Sequence, residues 1–380
     1  MLKDLLEKKE KKVEYVELIY DLIFVYIIGR NNSLLHHAAG GFVDFGTFSA
    51  YLMCTLAVIQ MWNLTTYYIN IYGRHSVREH VMLFVNMFLL YFIGEGTREH
   101  WQDFHTQYHV AWALILLNIA LQYLIELRYN RDDPGHRSRA IRMASVLAVE
   151  AGLVLCAILE FNARGTSYLS LIAILFGMAA VSFGGGNNRA EVVDFPHLSE
   201  RAMLYVVFTF GEMIIAIASY FEGAFTVNSL YFSAMAFLIV VALFLSYGVL
   251  YDHIVDREMK SSGLGYMFVH VFLIFALNNI TTALEFMRNE GIDLLAKVLF
   301  LVGSFLLYYI CLFALGRFAK VRCRPRSGFY LGLAGAGVVF AGLMLLLRQN
   351  MQVNIALTVV FAFALFLVLY RFGKKTDLTE

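Results

Sequence analysis

Twelve apolar runs, each long enough for a membrane span, follow one another along the 380-residue chain, separated by charged residues or glycines. A helix of about 20 mostly apolar residues crosses the roughly 30 Å hydrocarbon core of a bilayer. Because lipid leaves unpaired backbone groups unsatisfied, such runs fold as helices. They predict an all-α polytopic membrane protein of about 12 transmembrane helices, with spans near 15–38, 45–71, 79–97, 106–128, 141–161, 167–186, 199–221, 229–252, 264–287, 292–316, 328–348 and 352–371.

The composition excludes several other classes of protein. Hydrophobic residues make up 59% of the chain and charged residues 16%, whereas a soluble chain has about 45–50% and about 25%. The net charge of +1 provides no basic surface for nucleic acid. The 4 cysteines include no Cys-x-x-Cys pair, so neither a zinc ribbon nor a disulfide framework is indicated. We expect no cofactor and no nucleic-acid partner.

The lysines and arginines between the apolar runs predict the orientation of the chain. If the amino terminus lies in the cytoplasm, 24 of them fall on the cytoplasmic side and 4 on the opposite side. This bias is typical of cytoplasmic loops. We therefore expect both termini in the cytoplasm and the protein in the plasma membrane.

Residues 15–372 form one predicted transmembrane domain. Residues 1–14 precede it, either as a cytoplasmic or interfacial amphipathic segment or as a solvated, frayed helix, and residues 373–380 follow it as a cytoplasmic tail. One constant shift along the sequence aligns Glu17 with Glu200 and Tyr68 with Tyr251. This match is compatible with two parallel six-helix halves, 15–186 and 199–372, and equally with chance matches between apolar helices.

Four polar motifs interrupt the apolar runs. They are Glu17-Leu18-Ile19-Tyr20-Asp21 in the first span, Trp62 to Asn70 in the second, His197-Leu198-Ser199-Glu200-Arg201 with Phe210-Gly211-Glu212 in the seventh, and Tyr266 with His270 in the ninth. Over most of residues 14–290 the chain resembles the bacterial low temperature requirement protein A family. It departs from the family's pattern at Asn70-Ile71-Tyr72-Gly73 and at Met213. The resemblance implies a membrane fold and a bacterial source, and it implies no reaction.

An ionic cluster is predicted at the cytoplasmic end of the first and seventh spans. Glu17 and Asp21 are four residues apart, so both carboxyl groups lie on one helix face. Like charges this close discourage double ionisation unless a cation lies between them. Arg201, beside Glu200, is the expected cation. The cluster either clamps the two spans together or relays a proton or cation.

Ionisable groups within the spans indicate a path for a substrate or an ion, because each costs about 2.5–3.5 kcal/mol in hydrocarbon. Glu212, after Gly211, is predicted about 18 Å into the seventh span, with Arg30 as its countercharge. Alternatively, Glu212 is a protonated acid hydrogen-bonded between two helices. Three further residues are predicted on the same path: Glu150, Asn118 and His270.

The histidines indicate at most a weak metal or pH-sensing site. His105 and His109 are four residues apart and share a helix face. With His36, His37 and His100 they are predicted near the outer rim. Spacing alone does not define a metal centre, so a wet, interfacial set without a ligand is the simpler interpretation.

Twelve spans with buried carboxyl and amide groups favour a secondary transporter or permease whose activity is linked to a proton or cation. Membrane lipids and an unidentified small molecule or ion are the expected partners. A second possibility is a membrane enzyme acting on a lipid or lipid-linked substrate, which would use inner-interface residues: Glu17, Asp21, Asp252, His253 and His270. A third is a sensor or scaffold without turnover.

Overall fold

The chain forms twelve helices within the residues that the computed structural model describes, which are 11–35, 41–96, 101–129, 133–183, 193–221, 226–324 and 327–377. The helices are α1 (Tyr15–Asn31), α2 (Phe45–Tyr72), α3 (Val77–Glu95), α4 (Trp101–Glu126), α5 (Pro134–Arg164), α6 (Tyr168–Phe183), α7 (Phe195–Ala218), α8 (Val227–Val249), α9 (Leu264–Arg288), α10 (Leu294–Ala314), α11 (Ser327–Leu346) and α12 (Met351–Asp377). One helix corresponds to each predicted span.

The predicted fold class, an all-α polytopic membrane protein, is confirmed. Ten of the described helices are long and apolar enough to cross a bilayer. The other two are shorter, with 17 residues in α1 and 16 in α6. At 1.5 Å per residue, α1 is only about 26 Å long. The predicted first span, 15–38, was therefore too long, because the helix ends at Asn31 and a 3₁₀ turn follows at Asn32–Leu35.

Side-chain caps fix several helix starts. The Ser76 hydroxyl accepts from the backbone N–H of Glu79, whose carboxylate accepts from the backbone of Ser76, so α3 opens with a capping box. Asp133 caps α5 and precedes Pro134, which needs no backbone donor at the first helical position. The residue that follows α5 is Gly165, whose φ of +69° is the left-handed conformation that terminates many helices.

The described chain divides into two compact units. The first unit comprises Met1–Leu34, Ser49–Tyr205 and Arg257–Phe268, and the second comprises Leu35–Phe48, Val206–Asp256 and Val269–Glu380. Within the first unit α2 is buried along most of its length, including the polar residues Gln60, Thr65 and Asn70. Because a helix buried on all sides has no solvated face, each of these polar groups needs a partner on a neighbouring helix.

Several predicted features lie outside the described residues. These are most of the predicted interfacial segment (1–10 of residues 1–14), the end of the predicted tail (378–380), and His36, His37 and His100.

Candidate functional site

A buried ionic cluster joins α1, α2 and α7 within the first unit; we call it the Arg201 cluster, consisting of Glu17, Asp21, Trp62, His197 and Arg201. The Arg201 guanidinium donates from Nε to Asp21 Oδ2 at 3.1 Å and from Nη2 to Asp21 Oδ1, and its Nη1 donates to Glu17 Oε2. Trp62 Nε1 donates to Asp21 Oδ1 at 2.8 Å. Such two-pronged contact between Arg and a carboxylate fixes both groups in orientation.

Helix geometry accounts for the way these groups meet. Glu17 and Asp21 occupy one face of the first two turns of α1, and both are at most 2% exposed. Asp194 caps the start of α7, since its Oδ1 accepts from His197 N at 3.2 Å, and this places Arg201 near the same end of the bundle. Glu200, which was predicted to belong to the cluster, is only half-buried, and none of the ion pairs between described residues includes it.

The Arg201 cluster carries more negative than positive charge. Two carboxylates face one guanidinium, so one formal negative charge is left if both are ionised. The Oε1 atom of Glu17 and the Nε2 atom of His197 are buried and have no hydrogen-bond partner among the described residues. His197 Nε2 lies 3.7 Å from Glu17 Oε2. A proton on either group would compensate the remaining charge.

A second set of polar contacts closes the same end of the first unit. Asn70 and Asp194 exchange hydrogen bonds, from Asn70 Nδ2 to Asp194 O at 2.8 Å and from Asp194 N to Asn70 Oδ1 at 3.1 Å. Asn70 Nδ2 also lies 3.1 Å from His197 Nδ1. Lys11 Nζ donates to the carbonyls of Ile69 and Asn70 at 2.6 and 3.0 Å, a favourable place for a cation at the end of α2. Burial lowers the pKa of the Lys11 ammonium group.

A chain of neutral hydrogen bonds crosses the first unit beside the Arg201 cluster. Asn118 Nδ2 donates to Asn86 Oδ1 at 2.7 Å, and Asn86 Nδ2 donates to the hydroxyl of Tyr20 at 3.3 Å. The Tyr20 hydroxyl lies 3.0 Å from Thr65 Oγ1. The predicted path residue Asn118 therefore takes part in a network that joins α4, α3, α1 and α2. Sequence reasoning identified Asn118 by its depth and missed its partners.

Glu150 lies at the middle of α5, about equally far along the chain from Pro134 and from Arg164. Its side chain is fully buried, and neither carboxyl oxygen has a hydrogen-bond partner among the described residues. A Cβ atom added at Gly177 on α6 would overlap both the Glu150 carboxylate and the Gln60 amide. These two groups therefore occupy the space that the glycine leaves free. No motif in the sequence indicates this role of Gly177.

A small cavity of about 30 Å³ lies beside Gln60 and Gly177 and has room for a water molecule. Its wall includes Gln60, Asn63, Tyr67 and Gly177. The Tyr67 hydroxyl donates to the Ser262 carbonyl. The Gln60 side chain thus lies both in the cavity wall and beside the Glu150 carboxylate.

Glu212 lies in the second half of α7. The Asp194 cap starts α7 at Phe195 rather than at the predicted residue 199, so Glu212 is 17 residues from the first residue of the helix and 6 from the last, Ala218. Its depth in a membrane stays a prediction. Its side chain is half-buried and makes no ion pair or hydrogen bond with described residues. A Cβ added at Gly211 would meet no atom within 4 Å, so this glycine does not mark a close helix contact.

Arg30, the predicted countercharge of Glu212, lies in the last turn of α1. Its Nη2 atom is 3.9 Å from Glu95 Oε1, and the two side chains are 36% and 28% exposed. An exposed pair at this distance contributes about 0–1 kcal/mol to stability. The pairing of Arg30 with Glu212 stays a prediction.

The three remaining predicted histidines have protein partners. His105 Nε2 and His109 Nε2 each lie 2.6 Å from a serine hydroxyl, of Ser167 and Ser170. Their rings stack 3.9 Å apart and both are fully buried, so the expectation of a wet, interfacial pair was wrong. The described residues contain no group of three or more metal-ligating side chains. In the second unit, His270 Nε2 lies 3.0 Å from the Tyr247 hydroxyl.

A helical bundle with ten long apolar spans and a buried charge cluster defines a polytopic membrane protein. The family model described as bacterial low temperature requirement A protein (LtrA) matches residues 12–369, so the chain belongs to this family. Three of the four motifs that carried the resemblance converge on the Arg201 cluster: the Glu17 to Asp21 motif, the Trp62 to Asn70 motif and the His197 to Arg201 motif.

A curated relative adds no activity to this assignment. The chain is 20% identical over 245 residues to the uncharacterized protein RA0937 of Rhizobium meliloti (strain 1021). The similar region covers 63% of this chain and 58% of the relative. The chain therefore spans less than two thirds of that relative's length.

Proposed function

We propose that the protein is a secondary transporter for a small polar solute or ion, and that Glu150 binds the proton or cation to which transport is coupled. The observation that carries this proposal is the fully buried carboxyl group at the middle of α5, which has no ion pair among the described residues and has the neutral Gln60 amide as its polar neighbour. An uncompensated carboxylate at this depth costs several kcal/mol. A bound proton or cation removes that cost, so binding there is strongly favourable.

The surroundings of Glu150 support a proton- or cation-binding site rather than a carboxyl group enclosed by apolar side chains. The Gln60 amide lies beside the carboxylate over Gly177, and Gln60 and Gly177 line the cavity together with Asn63. A secondary transporter holds its coupling ion near the bilayer midplane between polar groups of neighbouring helices. The excess negative charge of the Arg201 cluster, nearer the end of the first unit, provides a second group that exchanges a proton on such a path.

Two predictions from the sequence form part of the proposal. Glu212 is a second carboxyl group for a proton or cation, and Arg30 is a charged residue of the same path. Both termini lie in the cytoplasm and the protein spans the plasma membrane, as the distribution of lysine and arginine predicts.

The test compares Glu150→Gln with Glu160→Gln on the same helix. Glu160 accepts from Thr166 Oγ1 at 3.1 Å and from Leu169 N at 2.8 Å, so it has its partners at the end of α5 and serves as the control. Each protein is reconstituted into liposomes on a solid-supported membrane. Transient currents are recorded for a panel of amino acids, sugars, nucleosides and inorganic cations at acidic and neutral pH.

We expect the parent and Glu160→Gln to give a pH-dependent current for at least one solute. Glu150→Gln should fold but lose the pH dependence, because the amide keeps the shape and exchanges no proton. If Glu150→Gln keeps the full pH-dependent current, Glu150 is not the coupling group. If the parent gives no current with any solute while binding none in a thermal-shift screen, a scaffold replaces the transporter.

A further inference from the structure

Two of the arginines at the end of the first unit where α2 and α4 finish and α3 and α5 begin are neutralised by carboxylates. Arg78 Nη2 lies 2.6 Å from Glu126 Oε1 and 3.2 Å from Glu79 Oε1, and Arg74 Nη2 lies 3.2 Å from Glu126 Oε2. Both guanidinium groups also lie over the ring of Tyr129, with Arg74 at 4.8 Å and Arg78 at 5.5 Å from the ring centre. These contacts leave Arg74 and Arg78 with carboxylate and aromatic partners.

Two more arginines at this end, Arg139 and Arg142, have no carboxylate within ion-pair distance among the described residues. They are three residues apart on α5 and therefore share a face. The acid nearest in sequence, Asp133, is engaged at the start of α5, where its Oδ1 accepts from Gly135 N and His136 N. Neither arginine therefore has an ion pair among the described residues, and Asp133 lies within electrostatic range of Arg139.

Arg139 and Arg142 line one cleft, together with Tyr67 and Tyr72 of α2 and Tyr123 of α4. We call it the arginine–tyrosine cleft. The hydroxyl of Tyr72 and the Nε of Arg139 are buried in its wall, and the two side chains interact with each other. The Arg139 guanidinium has further N–H donors and the Tyr72 hydroxyl has its proton, so both can donate to a ligand that accepts hydrogen bonds.

The other residues that line the cleft are apolar: Ile71, Met143 and Val181. A free inorganic anion gains nothing from these residues. A phospholipid matches both kinds of residue, since its phosphate accepts hydrogen bonds from arginine and tyrosine and its acyl chain packs on the apolar residues.

We propose that the phosphate headgroup of an anionic phospholipid binds at the arginine–tyrosine cleft, whose free volume of about 10 Å³ widens by side-chain movement to admit it. Arg139 and Arg142 supply the charge, the Tyr72 hydroxyl donates to a phosphate oxygen, and the apolar residues receive the first part of an acyl chain. Glu150 does not line the cleft, and the cleft shares only Tyr67 and Val181 with the cavity beside Gln60, so the lipid site stands whether or not the chain transports a solute.

The test measures lipid binding by native mass spectrometry of the detergent-solubilised protein with added phosphatidylglycerol, phosphatidylcholine or inorganic phosphate. The test variant is Arg139→Gln/Arg142→Gln. The matched control is Arg128→Gln/Arg137→Gln, which removes the same charge from two exposed arginines near the same end. Tyr72→Phe removes only the buried hydroxyl, and thermal unfolding checks that each variant is folded.

The parent should bind phosphatidylglycerol at least about tenfold more tightly than phosphatidylcholine, as expected for charge-assisted hydrogen bonds. Arg139→Gln/Arg142→Gln should remove most of that preference, and Tyr72→Phe should weaken binding of phosphatidylglycerol severalfold while the control pair keeps it. Equal loss in both double variants would reduce the effect to general surface charge and overturn the site. If inorganic phosphate displaces the lipid at equal concentration, the ligand is a soluble phosphate and the lipid assignment fails.

Discussion

Replacing Arg201 by Ala tests whether the Arg201 cluster holds the first unit together. Arg201 and Asp21 are 0% exposed and Glu17 is 2% exposed, so the alanine would leave two carboxylates buried without their cation. Breaking a buried ion pair in this way typically destabilises a protein by about 3–5 kcal/mol. Since about 1.4 kcal/mol is a factor of ten, the unfolding equilibrium constant should rise by roughly two to more than three orders of magnitude.

Unfolding of the purified protein in mixed micelles is followed by tryptophan fluorescence, because Trp62 donates to Asp21 inside the cluster. The control is the triple variant Glu17→Gln/Asp21→Asn/Arg201→Met. It removes all three charges and keeps an oxygen acceptor for Trp62. Two buried neutral amides cost about 1–3 kcal/mol each when unpaired, less than buried carboxylates left without their cation, so the triple variant should recover part of the stability lost in Arg201→Ala.

Two results would refute this reasoning. If Arg201→Ala unfolds at the same denaturant concentration as the parent, the carboxylates are solvated separately and the cluster is not buried in the folded protein. If the triple variant is as unstable as Arg201→Ala, the loss comes from packing of the arginine side chain and not from unpaired charge.

Three further predictions concern other parts of the chain. Gly177→Ala should destabilise the protein by about 1–3 kcal/mol, as overpacking does, and displace the buried carboxyl group beside it, which a crystal structure and the liposome currents would detect. Since burial lowers the pKa of Lys11 below the 10.5 of an exposed lysine, the unfolded chain binds its proton more tightly. The free energy of unfolding should therefore rise as pH increases from the lowered pKa of Lys11 to 10.5. Lys11→Met should reduce this rise when denaturation is measured at a series of pH values. If the free energy of unfolding changes with pH by the same amount in both proteins, the pKa of Lys11 is not lowered. Single cysteines beside Arg137 and Arg324 should escape an impermeant thiol reagent in intact cells while one beside Glu222 reacts, and the opposite labelling would overturn the proposed orientation.

The geometry of the Arg201 cluster follows from the sequence because it depends on local rules. The spacing of Glu17 and Asp21 places both on one helix face, and the charge distribution assigned Arg201 to the same side of the membrane. A cation near two carboxylates in an apolar protein has few alternatives. Contacts between helices are not set by local spacing, so nothing in the sequence pattern predicted Trp62 or His197 as neighbours of these charges.

The ranking of the mid-membrane carboxyl groups could not be predicted in the same way. Depth was counted from predicted helix ends, and the cap at Asp194 moved the start of α7 by a full turn relative to the assumed span. Glu212 therefore lies in the second half of α7, while Glu150 lies at the middle of α5. Burial depends on which helices pack beside a residue, and the glycine that makes room for Glu150 belongs to a different helix, α6.

The two groups of buried charge in the first unit differ in how well they are satisfied, and this difference assigns them separate roles. In the Arg201 cluster the guanidinium and Trp62 hold Asp21 at both oxygens, an arrangement that favours one rigid geometry. Glu150 has no such partners among the described residues, so its surroundings must change or take up a proton to compensate it. Stability should therefore depend chiefly on Arg201, and pH-linked activity on Glu150. If a single substitution at Arg201 or at Glu150 removed both the stability and the pH-linked activity, the two groups would act as a single unit.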